Sequence, residues 1–320
     1  MKNIKINSNK LSRRGFLNTT AVLAASTLIP TLNSCGSSKL IGKSNEKSVL
    51  IPNSKYAGVQ IGAITYSFRD LKGGLVETIK ACSDAGISSV ELMGTGVEDY
   101  LGAPDSKKVS ELKEWRKSHG TPEKYAQLRK TFNDAGINIH IYKWVAGNTE
   151  EELDYSFKVA KALGAIGISA ELDESNARLM GPVAAQNGMY AILHNHYQYA
   201  ETNFNVDKLL AYSPANMLNF DIGHYFGSTG LNPTDFILNY HDRIASIHLK
   251  DKTGKNNISQ ENKNQVWGQG ETPISEVLFL IRDKKWPIYC DIELEYPVVP
   301  WSSSVKEVRI CKEYCRQILI

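Results

Sequence analysis

The sequence predicts an α/β chain closed into a single (β/α)8 barrel, and three observations carry that expectation. Eight short runs rich in Val and Ile alternate with segments of helical periodicity between Gly58 and Ile320. Three helical segments stop on Gly86, Gly136 and Gly164, where a left-handed residue ends a helix. The junctions "AGI" (85–87 and 135–137) and "LGAI" (163–166) recur as one repeated module would. A doubly wound sheet usually needs fewer units, and the Gly-rich phosphate loop it would carry after its first strand is absent.

In chain order, strands are expected at 58–65, 87–93, 137–143 and 165–171, then at 190–196, 217–223, 244–250 and 287–295. Helices are expected at 75–86, 121–136 and 150–164. Two long polar connections interrupt the pattern, 94–120 and 254–273, and the first is expected to form a rim over the site. Cys82, Cys290, Cys311 and Cys315 show no metal-finger spacing and read as buried free thiols.

The first 35 residues read as an address. Lys2, Lys5, Lys10, Arg13 and Arg14 precede "SRRGFL" and a short apolar segment too polar to span a bilayer. The leader resembles a twin-arginine export signal, and "LNSC" resembles a lipobox in which Cys35 is lipidated after cleavage. The expected division is a signal over 1–35, a polar tether over 36–54 and the barrel over 55–320. The whole chain carries net +3, from 37 basic and 34 acidic residues. Without the five basic residues of 1–34, 32 basic stand against 34 acidic, net −2. The basicity belongs to the leader, and no nucleic-acid partner is expected.

Catalytic groups of such a barrel sit at the C-terminal ends of its strands. The acidic, His and Lys residues there are Glu91, His140, Lys143, Glu171, His194, His196, Asp221, His224, His248, Lys250, Glu293 and Glu295. A divalent cation with open positions needs a few carboxylates and an imidazole at one point. Glu171, Asp221, His248 and Glu293 would supply that set, which suits Mn2+, with Zn2+, Mg2+ and Co2+ as alternatives. Glu293 and Glu295 share strand parity with Asp291, which falls deeper. Glu293 is assigned to the metal and Glu295 to the rim. Tyr66, Phe68, Trp144 and Trp301 lie near strand ends, where they would stack on a sugar or simply pack.

"HNH" after strand five, "DIGH" after strand six, "IHLKD" after strand seven, "GQGETPI" in the next loop and "IELEY" in strand eight occur in that order. With them the chain resembles the xylose-isomerase-like TIM barrels, the sugar phosphate isomerase/epimerase group, from about Gly58 to Ile320. The resemblance implies metal ligands at Glu171, Asp221, His248 and Glu293, with Glu171 and Glu293 moving the proton. It departs from the group at strand five, where many members place a Glu and this chain has His194 and His196. Either Glu171 fills that role or His196 replaces the carboxylate. His196, His224, Lys250, Glu91 and Lys143 are the expected substrate contacts.

The implied activity is that of a metal-dependent sugar isomerase or epimerase. It would abstract a proton next to a carbonyl through a metal-bound enediolate. The alternative on the same site is a 3-keto-glycoside lyase or hydratase that expels the aglycone. A sugar-binding barrel without catalysis and a DNA-repair endonuclease are weaker readings. Export to the periplasm favours an unphosphorylated carbohydrate substrate, with membrane contact only through a lipid at Cys35.

Overall fold

The computed structural model describes residues 51–320. The leader, Cys35 and residues 36–50 of the expected tether lie outside the described residues. Eight parallel strands close on themselves: β1 Val59–Ile64, β2 Ser89–Met93, β3 Asn138–Lys143, β4 Gly167–Glu171, β5 Tyr190–His194, β6 Asn216–Asp221, β7 Ile244–Leu249 and β8 Tyr289–Ile292. β1 pairs with both β8 and β2, so the sheet is a barrel. Seven strands fall inside their expected runs and β6 begins one residue early, at Asn216; the trimmed ends have identifiable causes. β8 stops at Ile292 because the Leu294 N–H donates to Ser67 Oγ while Arg69 donates to the Leu294 carbonyl. β5 stops at His194 because the Asn195 side chain reaches across to the Asp221 backbone.

The helices wrap the barrel and start and stop where local chemistry dictates. They are α1 Gly74–Ala85, α2 Val109–Ser118, α3 Pro122–Asp134, α4 Glu150–Leu163, α5 Glu174–Gln186, α6 Val206–Ala211, α7 Ile222–Thr229, α8 Pro233–Tyr240, α9 Ile274–Lys284 and α10 Ser304–Leu319. α4 opens on a capping box between Thr149 and Glu152 and ends on left-handed Gly164. α2 forms inside the long 94–120 connection. α10 buries Val308, Cys311, Cys315 and Leu319 at helical spacing, and both thiols are free. Among the described residues no helix is long and apolar enough to cross a membrane.

The barrel interior is layered. Ile141, Ile192, Met217 and Ala245 form an apolar plug. A polar layer follows, in which His140 Nε2 lies 2.9 Å from Asp291 Oδ2 and Ser89 Oγ 2.9 Å from His140 Nδ1. Asp291 thus sits deep in the barrel, hydrogen-bonded to His140. Tyr289 stacks on the His140 ring at 4.0 Å between centroids. Gly62 makes room for this layer: a Cβ there would collide with Asp291 Oδ1 and lie 2.9 Å from the Ser89 carbonyl. Neither neighbour can yield without breaking the polar layer. Gly62→Ala should therefore destabilise the barrel by about 1–3 kcal/mol, read as a lowered thermal midpoint in the metal-free protein.

Candidate metal centre

His248, on β7, is the pivot of the next layer. Its Nε2 lies 2.7 Å from Glu91 Oε2 on β2, and its Nδ1 2.9 Å from Glu293 Oε2 just beyond β8. Asn219, one inward position below Asp221 on β6, donates to Glu91 at 2.8 Å. Burial alone would depress the His248 pKa, but Glu293 and Glu91 outweigh it and hold the imidazole well above its ordinary value. Glu91 answers in the opposite sense: burial favours its neutral form, yet His248 pulls the carboxyl down to about 2.

Four donors converge above this pair. His194, Asp221, His248 and Glu293 are all buried, and each offers a ligand atom within 4.8 Å of the others. His194 Nε2 lies 3.0 Å from His248 Nδ1, 3.6 Å from Asp221 Oδ2 and 4.0 Å from Glu293 Oε2. Asp221 is fixed from three directions. Its Oδ1 caps α7 by accepting the His224 N–H at 2.7 Å, and its backbone N–H and carbonyl are both held by the Asn195 amide. Its Oδ2 takes no hydrogen bond and is balanced by charge alone.

That charge comes from Lys250, which is 1% exposed. Its ammonium lies 2.9 Å from Asp221 Oδ2, 2.8 Å from Glu293 Oε2 and 2.7 Å from Glu295 Oε2. It also donates to His224 Nε2 at 3.0 Å, since an ammonium can only donate. Burial opposes its charge, but Asp221, Glu293 and Glu295 raise its pKa regardless. Gly223 serves this contact: a Cβ there would strike the Lys250 stem and approach the Lys250 carbonyl to 2.9 Å.

Two imidazoles and two carboxylates in a closed polar cage fit a divalent cation of the Zn2+ or Mn2+ kind. This set differs from the expected one at a single position. Glu171 ends β4 beside His194 in register, but its side chain is 48% exposed. It pairs with Lys143 at 3.1 Å and with His196 Nδ1 at 3.0 Å. The physical reason lies at the strand end. The Glu171 carbonyl already accepts from Asn176 in the first turn of α5, so the chain is leaving the barrel there. The buried four-donor group takes His194 from the β4–β5 side, while Glu171 and His196 form a second, half-exposed group with that same His194.

The expected substrate contacts also separate. Glu91 is fully buried beneath His248 and positions that imidazole rather than meeting a substrate. Lys250 and His224 belong to the cage wall, while Lys143 and His196 stand at the rim with Glu171. Phe68 is buried in the core, Trp144 packs under Arg116, and Trp301 is largely exposed. Asn195 and Asn219 were not among the expected site residues, because acids, histidines and lysines alone were sought; Asn195 stood in plain view inside "HNH". Tyr197, next to His196, meets the His224 ring edge-on at 5.0 Å.

Because Glu91 titrates near 2 in the folded chain and in the ordinary range when unfolded, its stabilisation is present above about pH 4.5 and disappears as pH falls towards 2. Glu91→Gln should lower the stability of the metal-free protein near neutrality by roughly 3 kcal/mol. Melts recorded against pH should show the gap between variant and wild type closing below pH 4.5.

No protein-family model matches the chain. Among curated proteins it is similar to inosose dehydratase of Clostridium botulinum (strain Alaska E43 / Type E3), 37% identical over 75 residues. Those residues are 22% of this chain, and the match spans only a quarter of that protein's length. Among solved structures, a xylose isomerase domain protein from Alicyclobacillus acidocaldarius superposes with TM-score 0.59 at 12% identity, covering 81% of this chain and 98% of the other. The IOLI protein, whose crystal structure holds a zinc atom, gives TM-score 0.58 at 12% identity over 82% and 98%. The 3-keto-D-glucoside 4-epimerase YcjR of E. coli gives 0.54 at 12% identity over 81% and 99%. At such identities the likeness is one of fold. By fold, the chain is a (β/α)8 barrel.

Proposed function

We propose that the chain is a divalent-metal-dependent enzyme that moves a proton next to a carbonyl of a sugar or keto-sugar, as an isomerase or epimerase does. The observation that carries this reading is the buried four-donor cage of His194, Asp221, His248 and Glu293. Glu91 and Asn219 fix the His248 ring from below, and Asn195 fixes Asp221 from the side. A divalent ion bound there would supply Lewis acidity towards the substrate carbonyl. The proton is carried at the rim by His196, whose Nδ1 is held by the Glu171 carboxylate, leaving Nε2 free to exchange a proton with substrate carbon. Lys250, tied to His224 and Glu295, places positive charge beside the same centre.

Elimination is the second reading, and the similarity to a dehydratase favours it. The half-exposed Glu171–His196 pair would then protonate a departing hydroxyl or aglycone at the open side of the site. The N-terminal reading belongs to the same proposal: export by the twin-arginine route, a periplasmic location and a lipid at Cys35 would give access to unphosphorylated sugars.

Incubating the purified protein with Mn2+ and a 3-keto-glucoside in D2O separates the two. Exchange without aglycone release supports the epimerase, release supports the lyase, and no exchange overturns both. Equilibrium dialysis should show Asp221→Asn losing the metal and Glu171→Gln keeping it, with exchange in the latter reduced about 10²–10⁴-fold.

Lys250 competes with any incoming cation for the Asp221 and Glu293 oxygens, and His248 must give up a proton to bind one. Lys250→Met should tighten metal binding roughly tenfold, equivalent to about 1.4 kcal/mol. Titration calorimetry in buffers of different ionisation enthalpy should also reveal proton release on metal uptake by the wild type.

A further inference from the structure

Two residues beyond Lys250, the short strand Asp251–Lys252 carries a second buried lysine. Lys252 is 2% exposed, and among the described residues its ammonium makes no ion pair and no hydrogen bond. Its recorded partner is the Tyr197 ring face, 5.7 Å away. Gly227 on α7 leaves room for the stem, because a Cβ there would come within 3.2 Å of Lys252 Cε. The Asn262 amide borders the same space but is neutral, and its Oδ1 accepts no hydrogen bond. Burial and the neighbouring Lys250 disfavour the charge of Lys252, and Asp221, Glu295 and Glu293 offset this only in part from beyond ion-pair reach.

A second orphan donor stands nearby. His224 Nε2 accepts from Lys250, so the proton of the neutral ring is on Nδ1, and that atom is buried without a partner. His224 and Lys252 both adjoin Tyr197. One buried N–H and the ammonium of a buried lysine, set around a single ring, both lack a hydrogen-bond acceptor. A sugar hydroxyl would satisfy either bond but not the charge.

We propose that Lys252 and His224 Nδ1, beside the Tyr197 ring, form a pocket for an anionic oxygen group, so that the substrate is a sugar bearing an acidic group away from its reacting carbonyl: a carboxylate if the chain is exported, a phosphate if it is not. The proposal rests on the reading of the neighbouring cage as the reaction centre. It predicts a substrate charge that composition does not reveal.

The test is calorimetric binding of D-glucuronate, D-glucose 6-phosphate and D-glucose to the full chain, with Mn2+ and after chelation. Wild type should bind one acidic sugar at least tenfold more tightly than glucose, a gain expected of charged hydrogen bonds. Glucuronate or glucose 6-phosphate, whichever shows it, identifies the acidic group. Lys252→Met should erase the preference and Lys252→Arg should retain it. Methionine keeps the stem but removes the unpartnered charge, so the Lys252→Met protein should also melt above the wild type. Equal binding of all three sugars by wild type, a preference surviving in Lys252→Met, or a lower melting temperature in that variant would each overturn the proposal. Because the chelated arm needs no turnover, loss of D2O exchange with the binding preference intact would fail the reading of the cage alone.

Discussion

Carboxylates crowded out of water at the mouth of the barrel are the constraint on which the rest depends. Glu91, Asp221, Asp291 and Glu293 are buried together, and each needs a positive partner within a few ångströms. β7 and the residue after it supply two, with His248 and Lys250 two residues apart and therefore on one face. β8 and its extension place Asp291, Glu293 and Glu295 opposite them, with Asp291 in register with His248. A cationic strand thus lies against an anionic one inside a closed sheet. His140 on β3 takes the deepest carboxylate and Glu91 on β2 reaches across to His248, so the same pairing ties distant strands together.

This arrangement explains how the cage exists without collapsing under its own repulsion. The charges that neutralise it, the His248 proton and the Lys250 ammonium, are those a divalent ion would replace. Stability without metal and affinity for metal therefore draw on the same oxygens. The groups that only position others, Asn195, Asn219 and Gly223, add no charge, which is how they hold geometry without altering that balance.

Much of this was legible in the sequence, and the failures have physical causes. Alternation along a strand correctly put Asp291, Glu293 and Glu295 on one face, and the eight Val/Ile runs became the eight strands. Parity says nothing about where a strand leaves the barrel, and this is why Glu171 was grouped with the cage. Its carbonyl is already engaged by α5, while its neighbour in register, His194, still points inward. Amides escaped because an Asn that caps a backbone has the same sequence appearance as one in a turn. Gly223 sits inside α7, and its role is the close approach of Lys250.

The two lysines of "HLKDK" show most directly how the fold treats charge. Lys250 has three carboxylates around it and a raised pKa; Lys252 has none within ion-pair reach, and burial together with Lys250 lowers its own. Two other buried carboxylates are answered. Asp251 accepts the N–H groups of Gly268, Gly270 and Thr272, and Glu307 accepts from Tyr296 and Ser302. A Cβ at Gly227 would strike the Asn262 amide and crowd the Lys252 stem, and the Tyr197 ring lies 5.7 Å from the ammonium. A buried lysine that no carboxylate reaches suits a counter-charge that arrives from outside. The two lysines therefore differ: the cage around Lys250 is complete, and a cation would have to displace its charge, whereas on our proposal Lys252 awaits an anion.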